Sequence, residues 1–167
     1  GVFILLTSRL NLLLDTIISR CQIIRFKPSS FQELKQTLEQ SEYKITDLLS
    51  DSGILENLIF ISNGSPRKLI DNLKIWNQIP ENIKHNIHYP LKNYENILFL
   101  AKNITSHLDL NQQEFLLNYM QRNWWEKTKN KQLVEILEGI KNNINSNIQP
   151  RISWEVGLLK VNLKTLS

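Results

Sequence analysis

Two arginines stand where a guanidinium could act on a phosphate group. Arg20 lies in Ser19-Arg20-Cys21, at the predicted junction of a short helix and a strand. A guanidinium fixed at the end of an element is suited to bidentate phosphate contact. The alternative is a surface ion pair with a carboxylate such as that of Asp15, and spacing alone favours this pair.

Arg67 lies in the first turn of a helix that Ser65 and Pro66 begin. A cation at this end opposes the helix dipole, so the position gains nothing locally. An anionic ligand bound at the helix N-terminus would give Arg67 a role, and the adjacent Lys68 indicates the same more weakly. An internal ion pair is the alternative.

No catalytic motif accompanies these arginines. The sequence has no glycine-rich phosphate loop, no HExxH and no GxSxG. Its single cysteine, Cys21, follows Arg20 but is interpreted as a small residue buried at the start of a strand. The three histidines are scattered, so no metal site is predicted. Trp124 and Trp125 could stack on a base, but one core tryptophan beside one at a domain boundary is favoured.

The start of the chain differs in pattern from the rest. Residues 2–6 form an apolar run and residues 22–26 are rich in β-branched side chains, so each predicts a strand. Residues 11–18 predict a short helix between them. Two parallel strands cannot form a buried sheet alone. We therefore infer that the chain is the C-terminal part of a longer protein.

The remainder of the chain predicts helices. Ser30 with Glu33 forms a capping box, and three helices follow before Pro80. Residues 80–90 are polar and predict a linker. Beyond them, apolar residues at helical spacing predict a second helical group.

The composition excludes several classes of protein. The chain has 167 residues, of which 41% are hydrophobic and 22% charged, as in ordinary globular domains. No apolar run approaches the roughly 20 residues that cross a bilayer. The net charge of +4 permits weak attraction to nucleic acid but does not argue for it. A reducing, cytoplasmic setting fits these properties best.

Three motifs resemble those of AAA+ clamp-loader subunits. Residues 3–7, followed after a short gap by Ser19-Arg20-Cys21, are similar to the sensor-1 strand and Ser-Arg-Cys motif of that family. Gly64-Ser65-Pro66-Arg67 resembles the start of the sensor-2 helix. Residues 149–156 resemble a stretch in the last helix of bacterial DNA polymerase III delta-prime subunits. The order of the matches agrees with that family along nearly the whole chain.

The resemblance implies a mainly α fold with three parts. Residues 1–28 would be the C-terminal remnant of a RecA-like AAA+ domain with residual parallel β strands. Residues 29–79 would be a three-helix lid, and residues 80–167 a helical collar for oligomerisation.

The resemblance also implies a role for each candidate residue. Arg20 would be supplied in trans, as an arginine finger, to ATP-Mg bound by the neighbouring subunit. Thr7 and Arg67 would occupy the sensor-1 and sensor-2 positions, which can be vestigial. The chain would bind no cofactor and hydrolyse no ATP alone, because the Walker segments would lie upstream. It would be an enzyme only as part of the nucleotidyltransferase holoenzyme.

The implied function is a structural stator in loading the sliding clamp during DNA replication. The expected partners are the gamma/tau and delta subunits, with the clamp and primer–template DNA reached through the complex and no membrane involved. Asp15 and Gln149 depart from the family pattern, which often has Pro and usually Asn there.

Two alternatives remain open at the level of sequence. One is a fragment of a gamma/tau-type ATPase subunit, and the other is an unrelated helical scaffold or nucleic-acid-binding module. An intact Walker A motif upstream would favour the ATPase, and a degenerate one would favour delta-prime.

The last helix carries two apolar sets, and either could face the core. We predict that the larger set is core and that the smaller set meets a neighbouring subunit. The larger set is Ile152, Val156, Leu159, Leu163 and Leu166; the smaller is Trp154, Leu158 and Val161.

Overall fold

The computed structural model describes residues 1–40, 52–91 and 93–165. A 3-10 turn spans Leu10–Leu12. The helices are α1 (Asp15–Ile18), α2 (Phe31–Glu39), α3 (Ser52–Ile61), α4 (Pro66–Gln78), α5 (Glu81–Asn86), α6 (Tyr94–His107), α7 (Leu110–Thr128), α8 (Lys131–Asn145) and α9 (Pro150–Thr165). None of the helices in these ranges is long and apolar enough to span a membrane.

The two predicted strands are absent from the part of the chain that the structure describes. Residues 2–6 and 22–26 are irregular, and their apolar side chains are exposed, as in Val2 at 93% and Phe26 at 87%. The predicted short helix is reduced to the 3-10 turn and α1. A strand needs a neighbour for its backbone hydrogen bonds, and these residues have none within the described ranges.

The two helix starts with capping boxes show why those helices begin where they do. The Ser30 amide donates to Glu33 Oε2 at 2.7 Å, and the Glu33 amide donates to Ser30 Oγ at 3.3 Å. The Ser30 amide first, and then its hydroxyl, hold the pKa of Glu33 below its ordinary value. Asp109 and Gln112 form the equivalent pair at the start of α7, with distances of 2.8 and 3.0 Å. The predicted Ser30 box is confirmed.

Gly64 joins the N-terminal segment to the helices. Its φ of +75° lies in the left-handed region, which favours glycine. Its carbonyl accepts a hydrogen bond from the Ser29 amide at 2.9 Å, and a Cβ on Gly64 would meet the Pro28 side chain. This contact holds the end of the irregular segment against the turn between α3 and α4.

A single continuous core runs through the helices after residue 30. Helices α2, α3 and α4 pack against one another, and α3 and α4 also pack on α7. Trp76 of α4 and Tyr119 of α7 bring their ring centroids to 4.5 Å. Helix α9 packs against α6 and α8, and α7 also packs against α8. The boundaries at residues 28/29 and 79/80 stay predictions.

Residues 80–90 do not form an exposed linker, so that expectation is wrong. They contain α5, and Ile79, Ile83 and Ile87 are fully or almost fully buried. The indole Nε1 of Trp124 donates to the Ile87 carbonyl oxygen at 2.8 Å. The three isoleucines repeat at four-residue spacing, and Leu91 continues the repeat. This spacing is typical of a helix, but the polar residues around it make the segment resemble a linker in the sequence.

The two faces of α9 are the reverse of the prediction. Trp154, Leu158 and Val161 are fully buried, whereas Ile152, Val156 and Leu163 are 46 to 59% exposed. Leu159 is half-buried, and Leu166 lies outside the described residues. The smaller set is therefore core, and the larger set supplies the exposed side of the helix.

Buried polar contacts explain this orientation of α9. Trp154 Nε1 donates to Gln113 Oε1 at 2.9 Å, and Gln113 Nε2 donates to the Leu108 carbonyl oxygen at the same distance. Asn162 Nδ2 donates to the Leu91 carbonyl oxygen at 2.9 Å. A buried indole or amide needs such partners, and this rotation of the helix supplies them.

Candidate functional site

Arg20 lies in a tight turn directly after α1. The Ser19 amide bonds to the Asp15 carbonyl oxygen at 2.9 Å, and the Arg20 amide bonds to the Ile17 carbonyl oxygen at 3.1 Å. These backbone bonds fix the turn while the Arg20 side chain is exposed. The alternative ion pair with Asp15 is not formed, since no carboxylate among the described residues is within 4.0 Å of the guanidinium nitrogens.

Cys21 follows in the same turn and is exposed. Its amide donates to the Ile18 carbonyl oxygen at 3.2 Å. The prediction that Cys21 is buried at the start of a strand is wrong for this chain, because the strand itself does not form.

Thr7 occupies a local turn at the end of the first apolar run. Its hydroxyl donates to the Arg9 carbonyl oxygen at 3.2 Å and accepts the Arg9 amide at 3.0 Å. Such side-chain bonds hold short turns in place of regular secondary structure. Thr7 is exposed and contacts nothing that would identify a nucleotide site.

Arg67 lies in the first turn of α4, as predicted. Ser65 caps this helix by accepting the Lys68 amide at 3.3 Å, and Pro66 occupies its first position. The Arg67 side chain is exposed. Within the described part of the chain it forms no salt bridge, so the internal ion pair with a carboxylate of α2, α3 or α4 is not observed.

The three candidate residues do not form a common site through direct contacts. No hydrogen bond or salt bridge in the described ranges joins Thr7, Arg20 and Arg67. Those ranges also hold no cluster of His, Cys, Asp and Glu that could bind a metal ion.

Two known protein families match consecutive parts of this chain. The family described as "Cyanobacterial DNA polymerase III delta prime, C-terminal domain" matches residues 32–161, from α2 into α9. The chain belongs to this family. Residues 1–30 match a second family, described as "DNA polymerase III, delta subunit". A search of curated proteins and a search of solved structures found no match.

The two family matches meet near residue 31, where the irregular N-terminal segment ends and α2 begins. The delta-prime C-terminal domain match covers the continuous helical core, and the other match covers the irregular segment that carries Thr7 and Arg20. The chain is accordingly a delta-prime-type clamp-loader component of DNA polymerase III. This agrees with the resemblance that the motifs of the sequence indicated.

Within this delta-prime family domain, one surface cluster was not anticipated. The guanidinium of Arg122 on α7 lies 3.7 Å from the ring centroid of Phe60 on α3. Glu126 forms salt bridges with both Arg122 and Lys129, and Lys129 Nζ lies 5.8 Å from the ring centroid of Trp125. The Lys129 hydrogen bond first, with the nearby positive charges, holds the pKa of Glu126 below its ordinary value.

The two tryptophans beside this cluster differ in burial. Trp124 is fully buried, which confirms the prediction that one tryptophan is core, and Trp125 is 38% exposed. Glu126 offsets one of the two positive charges that Arg122 and Lys129 bring to the cluster. The contact of Arg122 with Phe60 couples α7 to α3.

Proposed function

We propose that this chain is the lid and collar portion of a delta-prime-like subunit that serves as the structural stator of a clamp loader. In that complex, Arg20 acts in trans on ATP-Mg held by a neighbouring subunit. The observation that carries the proposal is an exposed, unpaired guanidinium on a turn fixed by its backbone, directly before a delta-prime C-terminal domain.

The exposed N-terminal segment supports this placement. Residues 2–6 and 22–26 carry apolar side chains that find no cover among the described residues. In the whole subunit these segments become strands by pairing with the sheet of the AAA+ domain, which supplies their missing hydrogen-bond partners. Arg20 then stands at a helix–strand junction whose position the sheet determines.

The chemistry assigned to Arg20 is electrostatic. Its guanidinium presents five N–H donors in a planar fork and stays charged at every physiological pH. Placed beside the transferring phosphoryl group, it stabilises the charge that spreads over the phosphoryl oxygens in the transition state. In this proposal the chain supplies the arginine and binds no nucleotide itself. Thr7 and Arg67 then occupy the sensor-1 and sensor-2 positions without contacting a nucleotide.

The proposed partners follow from the same role. The collar joins the gamma/tau and delta subunits, and the clamp and primer–template DNA are reached through the assembled complex in the cytoplasm. The charge of this chain agrees with an indirect relation to DNA, since a net charge of +4 is small for a phosphate-binding protein.

The decisive experiment replaces Arg20 with Ala in the full-length subunit and measures DNA-stimulated ATP hydrolysis by the reconstituted complex. Loss of an arginine finger costs on the order of 1,000-fold at one site. The complex as a whole should lose less, because its other ATP sites take their arginines from other subunits. Arg20→Lys should rescue only part of the rate, since an ammonium lacks the bidentate geometry.

Arg25→Ala is the matched control, because Arg25 is an exposed arginine in the same segment. It should leave the hydrolysis rate and the assembly of the complex unchanged. If Arg20→Ala assembles, loads clamps and hydrolyses ATP at the normal rate, the trans-acting role is wrong.

A further inference from the structure

Asn63 and Gly64 lie in the turn between α3 and α4, and they form the one Asn-Gly pair in the sequence. The Asn63 side chain is exposed, and its φ of +51° lies in the left-handed region, where asparagine is commoner than most other residues with a side chain. Gly64 follows with a φ of +75°, and its carbonyl oxygen accepts the Ser29 amide at 2.9 Å. The turn therefore joins two helices and also holds the end of the N-terminal segment.

An asparagine side chain can react with the backbone that follows it, which makes asparagine a thermolabile residue. The amide nitrogen of the next residue attacks the side-chain carbon Cγ and forms a new C–N bond. The bond from Cγ to the side-chain nitrogen breaks, and that nitrogen leaves as ammonia with the proton that the attacking nitrogen gives up. Water then opens the resulting succinimide ring at either carbonyl carbon, which yields aspartate or isoaspartate. A side chain on the next residue hinders the attack, and so does a hydrogen bond that engages the attacking N–H.

Gly64 presents neither obstacle to this reaction. It has no Cβ beside its amide nitrogen, and its N–H donates no hydrogen bond to any residue in the described ranges. The side-chain amide of Asn63 makes no hydrogen bond within those ranges either. Both reacting groups are therefore free of competing contacts.

Two other asparagines in the left-handed region differ in these respects. Asn147 has a φ of +59° and is exposed, but Ile148 follows it, and the Ile148 amide donates to a carbonyl oxygen of α8 at 3.0 Å. Asn93 has a φ of +69° and is exposed, but Tyr94 follows it, and Asn93 Oδ1 accepts the Glu95 amide at 3.4 Å. Exposure and backbone conformation are thus shared by the three asparagines, and only Asn63 combines them with an unhindered neighbour.

We propose that Asn63 is a site of spontaneous deamidation, with the Gly64 nitrogen as the nucleophile and isoaspartate among the products. Isoaspartate adds a carbon to the backbone at residue 63, which displaces the Gly64 carbonyl oxygen from the Ser29 amide. The turn has little room to absorb the longer backbone, because the Pro28 side chain lies where a Cβ on Gly64 would be. The modification therefore loosens the attachment of the N-terminal segment to the helices. The reaction involves only residues of this turn and is independent of the proposed function.

The first experiment follows the reaction in the full-length subunit. The protein is incubated at mildly alkaline pH, where base removes the amide proton more readily, and its peptides are mapped by mass spectrometry. The peptide with Asn63 should gain the mass difference between an amide and an acid, and enzymatic methylation of isoaspartate should label it. The peptides with Asn93 and Asn147 are internal controls and should stay unmodified over the same period.

Three results of this experiment would overturn the proposal. An unmodified Asn63 would show that the fold prevents the attack, and equal modification at Asn147 would show that Gly64 gives no advantage. Aspartate at residue 63 without isoaspartate would show direct hydrolysis of the side-chain amide by water, with no part for the Gly64 nitrogen.

The second experiment tests the effect on the attachment of the N-terminal segment. After incubation, hydrogen exchange at the Ser29 amide should be faster in the modified wild type than in Asn63→Gln, whose longer side chain closes the ring less readily. Asn63→Asp, measured before incubation, adds the charge without lengthening the backbone and should keep the Ser29 amide protected. Unchanged protection in the modified wild type, or a loss in Asn63→Asp, would overturn the role of the longer backbone.

Discussion

The segment before Pro28 and the helices after it are both rich in apolar residues, yet only the helices bury them. No residue from 1 to 28 is buried, whereas α7 alone buries Phe115, Leu116, Leu117, Tyr119, Met120 and Trp124. A helix satisfies its backbone hydrogen bonds internally and needs only one covered face. A strand needs partners for both its backbone and its side chains.

This difference separates a region that covers its own apolar side chains from a region that leaves them exposed. The helices after residue 30 share one core. Within it, the ring contact between Trp76 and Tyr119 joins α4 to α7. The N-terminal segment is joined to that core at the Ser29–Gly64 hydrogen bond. The two regions should therefore differ in stability, in tolerance of charge and in sensitivity to helix caps.

Hydrogen exchange should show the largest difference between the two regions. We expect protection close to that of an unfolded chain before Pro28, because those amides have few internal partners and no burial. Amides in α6 to α9 should be protected on the order of 1,000-fold or more, since they open only with the core. Equal protection in both regions, measured by mass spectrometry, would contradict the comparison.

A buried charge should affect the helical core and spare the N-terminal segment. Leu158→Glu places a carboxylate where the side chain is fully buried, and it should cost more than about 4 kcal/mol of unfolding free energy. Ile4→Glu, at a residue that is 82% exposed, should change stability by about 0.5 kcal/mol or less. Urea denaturation followed by circular dichroism measures both, and similar losses would show that residue 4 belongs to the core.

The two glycines of α8 and α9 test how tightly the helical region is packed. Gly157→Ala should destabilise the chain by about 1–3 kcal/mol, because its Cβ overlaps the buried Ile140 side chain. Gly139→Ala should stabilise it by about 0.5–1 kcal/mol through helix propensity. Thermal unfolding of the two variants should move in opposite directions, and a loss in both would mean that the space beside Gly139 is filled.

A modest effect is expected at the cap where the helical region begins. Ser30→Ala removes the hydroxyl that accepts the Glu33 amide, and it should cost about 1 kcal/mol. Because folding lowers the pKa of Glu33, the unfolded chain binds its proton at higher pH. The contribution of Glu33 to the stability of the fold is therefore complete above the ordinary carboxyl pKa. It is lost as the pH falls through the lowered pKa that Glu33 has in the folded chain.

A pH titration of stability checks the cap directly. In the wild type, part of the loss of stability on acidification should come from Glu33, and Glu33→Gln should remove that part. An unchanged pH profile in Glu33→Gln would show that the interaction between Ser30 and Glu33 contributes nothing measurable.

Much of the helical architecture could be predicted from local signals. The Ser30–Glu33 box and the glycine at residue 64 indicate helix ends through interactions among neighbouring residues. Residues 80–90 were mistaken for a linker because polar side chains surround a four-residue apolar repeat. Of the candidate site, the sequence indicated Arg20 and Arg67, but only coordinates could show that neither pairs with a carboxylate in the described chain.

The sequence by itself determined that the chain is helical after residue 30 and that Ser19-Arg20-Cys21 resembles a motif of clamp-loader subunits. These properties depend on residues close together in the chain. Which side of α9 is buried was decided only by tertiary structure, because both sides are apolar at helical spacing. The choice depends on Gln113 for Trp154, on Leu91 for Asn162 and on the close approach of α8 at Gly157, which are contacts across long sequence distances.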